Sequence, residues 1–430
     1  MTSHPRAPLV AWLIAEVCSL GGTRLSMVAV PWLVLTSTGS ATLTGVVAFA
    51  EMLPYVLAKA FAGPLVDRLG SRRIAVVCDL VSMIVIGAVP LLYLAGWLHF
   101  VALVIIVALG GLFRGPSDGA KGSAVPALAA HAGIKLERVT GMQGTIERLA
   151  TTVGTAVAGG LVALVGPALA LAFNAGTFGL AAILIGFGLS GLRPQPVRAA
   201  GSTGEKQSYL TELSDGWTFL RRDAVLLIIA IMVAGTNFAD QALSSVFVPV
   251  WVRDHGYGAA TLGLIFATMS AASVIGAIPA TVLGPRLPRL AVYAVAFLVC
   301  SLPRFAVLAL FPQLPIVLAV MAVAGFTSGF INPILSAVIF ERIPRQLTGR
   351  VSTLVNSLAW SLIPLGGLVG GLSVTGLGLN PSLIIFGSAY LMLTLLPLFV
   401  PVFRQFNDRP GSKQEGRDPR SSRASLARPT

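Results

Sequence analysis

Apolar runs long enough to cross a bilayer recur along almost the whole chain. They fall at 9–36, 41–63, 74–95, 99–125, 139–165, 167–191, 224–252, 259–284, 290–311, 314–340, 349–376 and 381–403. A membrane helix needs about 20 such residues, because lipid leaves every backbone N–H and C=O to be satisfied inside its own segment. Three polar stretches interrupt the pattern, at residues 1–8, 192–223 and 404–430. What lies between them gives each run about 30 residues including its loop, a slightly long helix and a short connection. The pattern predicts an all-α polytopic membrane protein with twelve transmembrane helices and no room for an extramembrane domain. It divides into a six-helix bundle at 1–191, a linker at 192–223, a second bundle at 224–403 and a tail at 404–430.

Composition narrows the class. Of 430 residues 55% are hydrophobic and only 11% charged, against about 25% charged in a soluble domain. Mean hydropathy is +0.84, which excludes a soluble enzyme, a disordered chain and a disulfide scaffold. The three cysteines lie in apolar segments and the four histidines are scattered, so the residues offer no metal set or disulfide framework. No HExxH, acidic run or glycine-rich nucleotide loop is present, so neither an enzyme nor a cofactor is expected.

The net charge of +13 acquires meaning from its placement. Twenty-three basic residues fall in segments on one side of the expected membrane, and Arg253 alone falls on the other. Basic loops stay cytoplasmic. Both termini are therefore expected inside a cytoplasmic membrane, and the charge speaks for topology, not for nucleic acid. The basic tail is expected to be disordered.

The halves echo one another. Val30-Pro31-Trp32 has a counterpart in Val248-Pro249 and Trp251, and Ala41-Thr42-Leu43 in Ala260-Thr261-Leu262. Ser123-Ala124-Val125 recurs as Ser336-Ala337-Val338, and Thr140-Gly141 as Thr348-Gly349. The separation shrinks slowly along the chain, as small loop deletions would make it. Two pseudo-symmetric bundles joined by a long linker are the mark of a secondary transporter with its site between the repeats near the midplane.

The stretch Gly63-Pro64-Leu65-Val66-Asp67-Arg68-Leu69-Gly70-Ser71-Arg72-Arg73 resembles the signature G-x-L-x-D-R-x-G-R-R of the major facilitator superfamily. Val30 to Leu35, Met52-Leu53-Pro54, Gly115 to Lys121 and Leu347 to Val351 resemble the drug:proton antiporter branch that includes Tap-type multidrug and macrolide exporters. The resemblance implies the major facilitator fold, alternating access, and export of hydrophobic or amphipathic molecules against protons by a monomer. Its rivals are an exporter of one metabolite, such as a siderophore or self-made antibiotic, and then a nutrient symporter. Two departures stand out: Gly22-Thr23-Arg24 lacks the acid of many relatives, and Gly154 to Gly159 lacks the antiporter proline.

Residue chemistry supplies candidates within this frame. Gly63, Asp67, Arg68, Gly70, Arg72 and Arg73 are expected to form a cytoplasmic latch. Topology explains the arginines but not Asp67, which suits a neighbouring Arg or a helix N-terminus. The resemblance places its partner near Gly349-Arg350, and Asp79 is a further partner for Arg72 or Arg73. Ionisable residues at depth are costly and are functional candidates by default. Arg114, Asp118 and Lys121 share a helical stripe, and with Glu147 and Arg148 they are expected to form one inner charge network. Glu51, Glu16 and Asp240, in that order, are candidates for proton coupling. Thr23, Arg24, Met52, Tyr55, Asn237, Phe238, Gln241, Asn332, Asn356 and Trp360 are candidates for the substrate cavity. Lys59 and Arg304 are expected to snorkel, and Trp32 and Trp251 to anchor at the interface.

Overall fold

The computed structural model describes residues 6–190, 217–283, 288–343 and 347–399, and among them every regular element is a helix. Most of the 192–223 stretch, the whole 404–430 tail, Arg286, Arg345 and the side chain of Arg350 lie outside the described residues.

Among the described residues twelve helices are long and apolar enough to span a bilayer. They are α1 (Ala7–Thr38), α2 (Ala41–Leu69), α3 (Ser71–Leu94), α4 (Phe100–Ala132), α5 (Leu136–Val165) and α6 (Pro167–Gly188). After the linker come α7 (Ala224–Asp254), α8 (Ala259–Thr281), α9 (Arg289–Leu310), α10 (Leu314–Ile339), α11 (Val351–Leu377) and α12 (Leu379–Leu396). Two helices outrun their apolar runs. α2 carries Pro64 inside it and continues to Gly70, whose φ of 84° no side chain tolerates well. α4 bends at Ala124 and continues through Val125–Ala132.

Local chemistry fixes several helix ends. Ser40 caps α2 by accepting from the Leu43 N–H at 3.2 Å, and Asp223 caps α7 by accepting from Val225 and Leu226. A π-helical turn at Leu243–Phe247 interrupts α7. α9 breaks at Ser301, before Pro303, and α11 breaks between Trp360 and Ile363. Such breaks free backbone groups and re-aim side chains.

Within the first six helices α1 packs on α5 and α6, α2 on α4, and α3 on α4 and α6. Within the last six, α8 packs on α10, α9 on α10 and α12, and α7 on α11 and α12. Outward faces bear exposed apolar residues such as Ile84, Leu164, Phe187 and Met392, the faces that lipid covers.

The two sets of helices meet through α2 with α11, α5 with α8, and α1 with α7. The end that carries Arg68, Arg72, Arg73 and Arg138 is here termed the basic face, and the opposite end the far face. At the far face Arg253 donates to the Gly39 carbonyl at 2.9 Å, and the Thr42 and Thr375 hydroxyls are 2.7 Å apart. Just beneath, two glycine crossings bring backbones together. A Cβ on Gly263 of α8 would lie 2.7 Å from Cα of Gly159 in α5. A Cβ on Gly45 of α2 would strike the Gly367 carbonyl of α11. The step from Pro31 to Pro249 carries Gly45 to Gly263, and the step from Gly141 to Gly349 carries Gly159 to Gly367. The crossings are thus equivalent under the repeat. Toward the basic face Asp67, Arg68, Arg73, Glu147 and Arg148 are exposed.

Candidate functional site

The first six helices hold an unusual density of buried charge. Arg114 of α4 donates to Glu51 of α2 at 2.8 Å, and both side chains are almost wholly buried. Two turns further along α4, the Lys121 Nζ lies 3.0 Å from Oδ1 of Asp79 in α3 and 2.9 Å from its Oδ2. Ser117 donates to the same Oδ1 at 2.6 Å, and Lys121 also reaches the Ser19 hydroxyl of α1 at 2.7 Å. Such pairs survive burial only because each charge has a close partner. Glu16, one turn from Ser19, is equally buried, and among the described residues no donor reaches it. It lies within Coulombic reach of Lys121, Asp118, Asp79 and Glu147.

The single inner network expected from sequence therefore resolves into separate pairs. Asp79 pairs with Lys121, not with Arg72 or Arg73; Arg72 instead donates to the Gly186 carbonyl of α6 at 3.1 Å. The reason is depth, since Asp79 points into the bundle at 0% exposure while both arginines stand at its end. Asp118 accepts from Tyr55 at 3.0 Å, and the Tyr55 hydroxyl accepts from Lys59 at 3.2 Å. Glu147 and Arg148 remain exposed on α5.

Around the space between the two sets, Tyr55 is tilted against Trp360 of α11 with ring centroids 6.2 Å apart. Lys59 sits over the Trp360 ring at 4.5 Å. It does not snorkel; a cation–aromatic contact holds it at the junction of α2 and α11. Asn356 lies one turn from Trp360 and is exposed, as is Asn332 of α10. On α1, the Thr23 hydroxyl donates to the Ser19 carbonyl at 3.0 Å, and Arg24 reaches the Met27 sulfur at 3.2 Å. Met52 is half-buried beside Glu51.

Among the described residues of the last six helices, one ion pair has a deeply buried arginine. Arg304 of α9 donates to Asp240 of α7, and its guanidinium lies over Tyr390 of α12 at 4.8 Å. The expectation that Arg304 snorkels fails: it is 5% exposed. The break at Ser301 and Pro303 turns it inward, where a carboxylate and aromatic faces replace water. Nearby, Asn237 donates to the Ala359 carbonyl at 2.9 Å. Phe238 stacks on Phe386 at 5.5 Å, while Gln241 packs against Gly366 of α11. Trp251 is fully buried against His255 and Tyr257 and Trp32 is nearly so, which corrects their reading as interfacial anchors. Their place between α1 and α7 at the far-face closure covers both rings.

Of the latch residues, Asp67, Arg68 and Arg73 are exposed, Gly63 has open space around it, and Gly70 ends α2. Sequence reasoning passed over Ser19, Ser26, Ser82, Ser117 and Asn174, all nearly inaccessible. Spacing carried the signal for several of them: Glu16, Ser19 and Ser26 share a face of α1, and Arg114, Ser117 and Lys121 share a face of α4.

Comparison with known proteins gives a consistent outcome. The family model described as Major Facilitator Superfamily matches residues 12–363 and 231–429. The "Multidrug efflux pump Tap" of Mycobacterium tuberculosis (strain ATCC 25618 / H37Rv) is 30% identical over 413 residues, covering 95% of this chain and 97% of that protein. The "Multidrug efflux pump Tap" of Mycolicibacterium fortuitum is 28% identical, covering 95% and 99%. Among solved structures, a D-xylose-proton symporter superposes with a TM-score of 0.69 at 14% identity, over 92% of this chain and 98% of that one. The nucleoside transporter NupG gives 0.68 at 17%, over 92% and 98%.

Proposed function

This chain belongs to the Major Facilitator Superfamily, and from that premise we propose that it exports hydrophobic or amphipathic small molecules, drugs and antibiotics among them, by proton antiport. Its membership makes it a multi-pass membrane transporter and not an enzyme. The observation that carries the finer reading is the asymmetry of closure. Hydroxyls, glycine backbones and Arg253 seal the far face, while Asp67, Glu147 and Arg148 lie exposed toward the basic face. With the basic face cytoplasmic, this is the inward-open member of an alternating pair, ready to take substrate from the cell interior.

In this reading residues 1–191 and 224–403 form two bundles that rock about the crossings, in a cell membrane with both termini cytoplasmic, as a monomer. Asp67, Arg68, Arg72 and Arg73 latch the basic face in the opposite state against the start of α11. Lys59, Tyr55, Trp360, Asn356 and the cavity side of Asp240 line the substrate path. The mixture of exposed aromatic, cationic and amide groups suits varied amphipathic ligands better than one rigid polar metabolite. Buried carboxylates in the first half and the partly exposed Asp240 in the second provide the charge that a proton must neutralise, Glu51 foremost by sequence.

The test is transport by the full-length protein in proteoliposomes under an imposed pH gradient, using ethidium and several unrelated drugs. Gradient-dependent movement of several compounds supports the reading. Accumulation of a single metabolite in a deletion strain, with no flux of any drug, turns it toward the defined-metabolite exporter.

A further inference from the structure

Inside the first six helices lies a small cavity lined by Ser26, Glu51, Ser82, Gly110, Arg114 and Phe178, with aliphatic walls. Its space is about 10 Å³, the room of one water molecule. The residues around it are all buried, and Arg114 stands between it and the Tyr55 ring, 4.6 Å away. Two buried polar atoms of its lining, the Ser82 hydroxyl and Nε of Arg114, have no hydrogen-bond partner in the protein. Buried polar atoms without partners are expensive. A cavity of this size with donors and acceptors converging on it is a site for water.

The cavity joins two groups that are otherwise separate. On one side stands Glu51 with Arg114. On the other, Ser82 lies one turn from Asp79, which holds Lys121; Lys121 holds Ser19; and Ser19 lies one turn from Glu16. Ser26 accepts from Asn174 and closes the wall. Along α1 the ladder from Ser26 to Glu16 covers about 15 Å, half of a bilayer core.

We propose that a water bound between Ser82, Arg114 and Glu51 completes a proton path inside the first helix bundle, running from Glu51 through Asp79 and Lys121 to Glu16. This deepens the antiport reading and rests on it. A proton arriving on the Glu51 carboxylate passes through the water to Asp79. Asp79 then releases Lys121, whose ammonium gives a proton to Glu16 and takes one back from Asp79. Glu16 surrenders it toward the basic face. Each step breaks one O–H or N–H bond and forms one, and a single proton crosses per turn. Glu16 suits the terminal position because it can be neutralised either by a proton or by Lys121. The charges facing it are Lys121 and Asp118 from α4, Asp79 from α3 and Glu147 from α5.

The experiment compares two modes of ethidium transport by the whole protein in proteoliposomes: accumulation driven by a pH gradient, and counterflow at equal pH, which needs no net proton. Glu16→Gln and Ser82→Val, which fills the cavity and removes the hydroxyl, are expected to lower gradient-driven accumulation about tenfold or more while counterflow stays within about twofold. Retained counterflow reports a folded protein. Ser82→Ala, which leaves room for the water, is expected to lie between wild type and Ser82→Val. A protonated-carboxyl band in the infrared spectrum that shifts in D2O and disappears in Glu16→Gln supports the terminal role independently of flux. Gradient drive that survives both Glu16→Gln and Ser82→Val, or its loss in Asp240→Asn alone, overturns the path. Wild-type protein that moves ethidium in counterflow but ignores the gradient overturns the antiport reading itself, and the path falls with it.

Discussion

The two sets of six helices share their geometry and differ in their chemistry. Each supplies one member of both glycine crossings, at positions equivalent under the internal repeat. In the first set the interior is ionic: Glu51 with Arg114, Asp79 with Lys121, and Glu16 close by. In the second it is aromatic: Phe386 contacts both Phe238 and Phe247, and Tyr293, Phe297, Phe305 and Tyr390 form a second cluster beside Arg304. The repeat is kept at the surfaces where the halves meet and is lost in their interiors. In the proposed cycle the charged half handles protons, and the aromatic half supplies bulk and one carboxylate toward the substrate.

Breaking the ionic half should have the largest effect. Lys121→Met leaves Asp79 buried without its counter-ion and is expected to destabilise the protein by about 3–5 kcal/mol. Thermal unfolding in detergent reads this, and the double change with Asp79→Asn should recover much of the loss. Next comes the aromatic half: Phe386→Ala removes the ring that stacks on Phe238 and meets Phe247 edge-on at 5.0 Å. A loss of about 3 kcal/mol is expected in the same assay, and a much smaller loss would mean that the cluster is loosely packed.

Smaller effects test the shared geometry. Gly263→Ala places a methyl against Gly159 and should disfavour far-face closure by about 1–2 kcal/mol, roughly tenfold in population. Spin labels at Thr42 and Thr375 would report a longer mean distance; an unchanged distribution would show that the crossing tolerates bulk. Smallest in stability is Asp67→Asn, exposed here, which should change unfolding by less than about 0.5 kcal/mol. Under the latch reading it nevertheless slows transport, because the state it stabilises is the opposite one.

Much of this architecture was legible before any coordinates. Twelve apolar runs gave twelve spans because hydropathy and length alone decide what a bilayer accepts. Pairings were harder. Asp79 and Lys121 lie on different helices, as do Asp240 and Arg304, and sequence spacing says nothing about which face of one helix meets which face of another. Arg304 sits deeper than its sequence position implies, because distance from a helix end measures depth only while the helix is straight, and α9 breaks at Ser301. The helix-spaced serines went unnoticed because each alone resembles ordinary small-residue packing. Trp251 shows the same limit: a tryptophan at a helix end fits an interfacial belt until a neighbouring helix is known to cover it.

The glycine crossings carry a kinetic consequence. Where main chain presses on main chain, no rotamer can swing aside to yield a half-made contact, so the seam is either fully seated or parted. Two such seams on opposite flanks of the molecule must seat together, because both join the same pair of bodies. In the proposed alternating cycle, leakage through a partly shut far-face gate would then be rare without any dedicated plug, and the time spent between states would be short compared with the time spent in either.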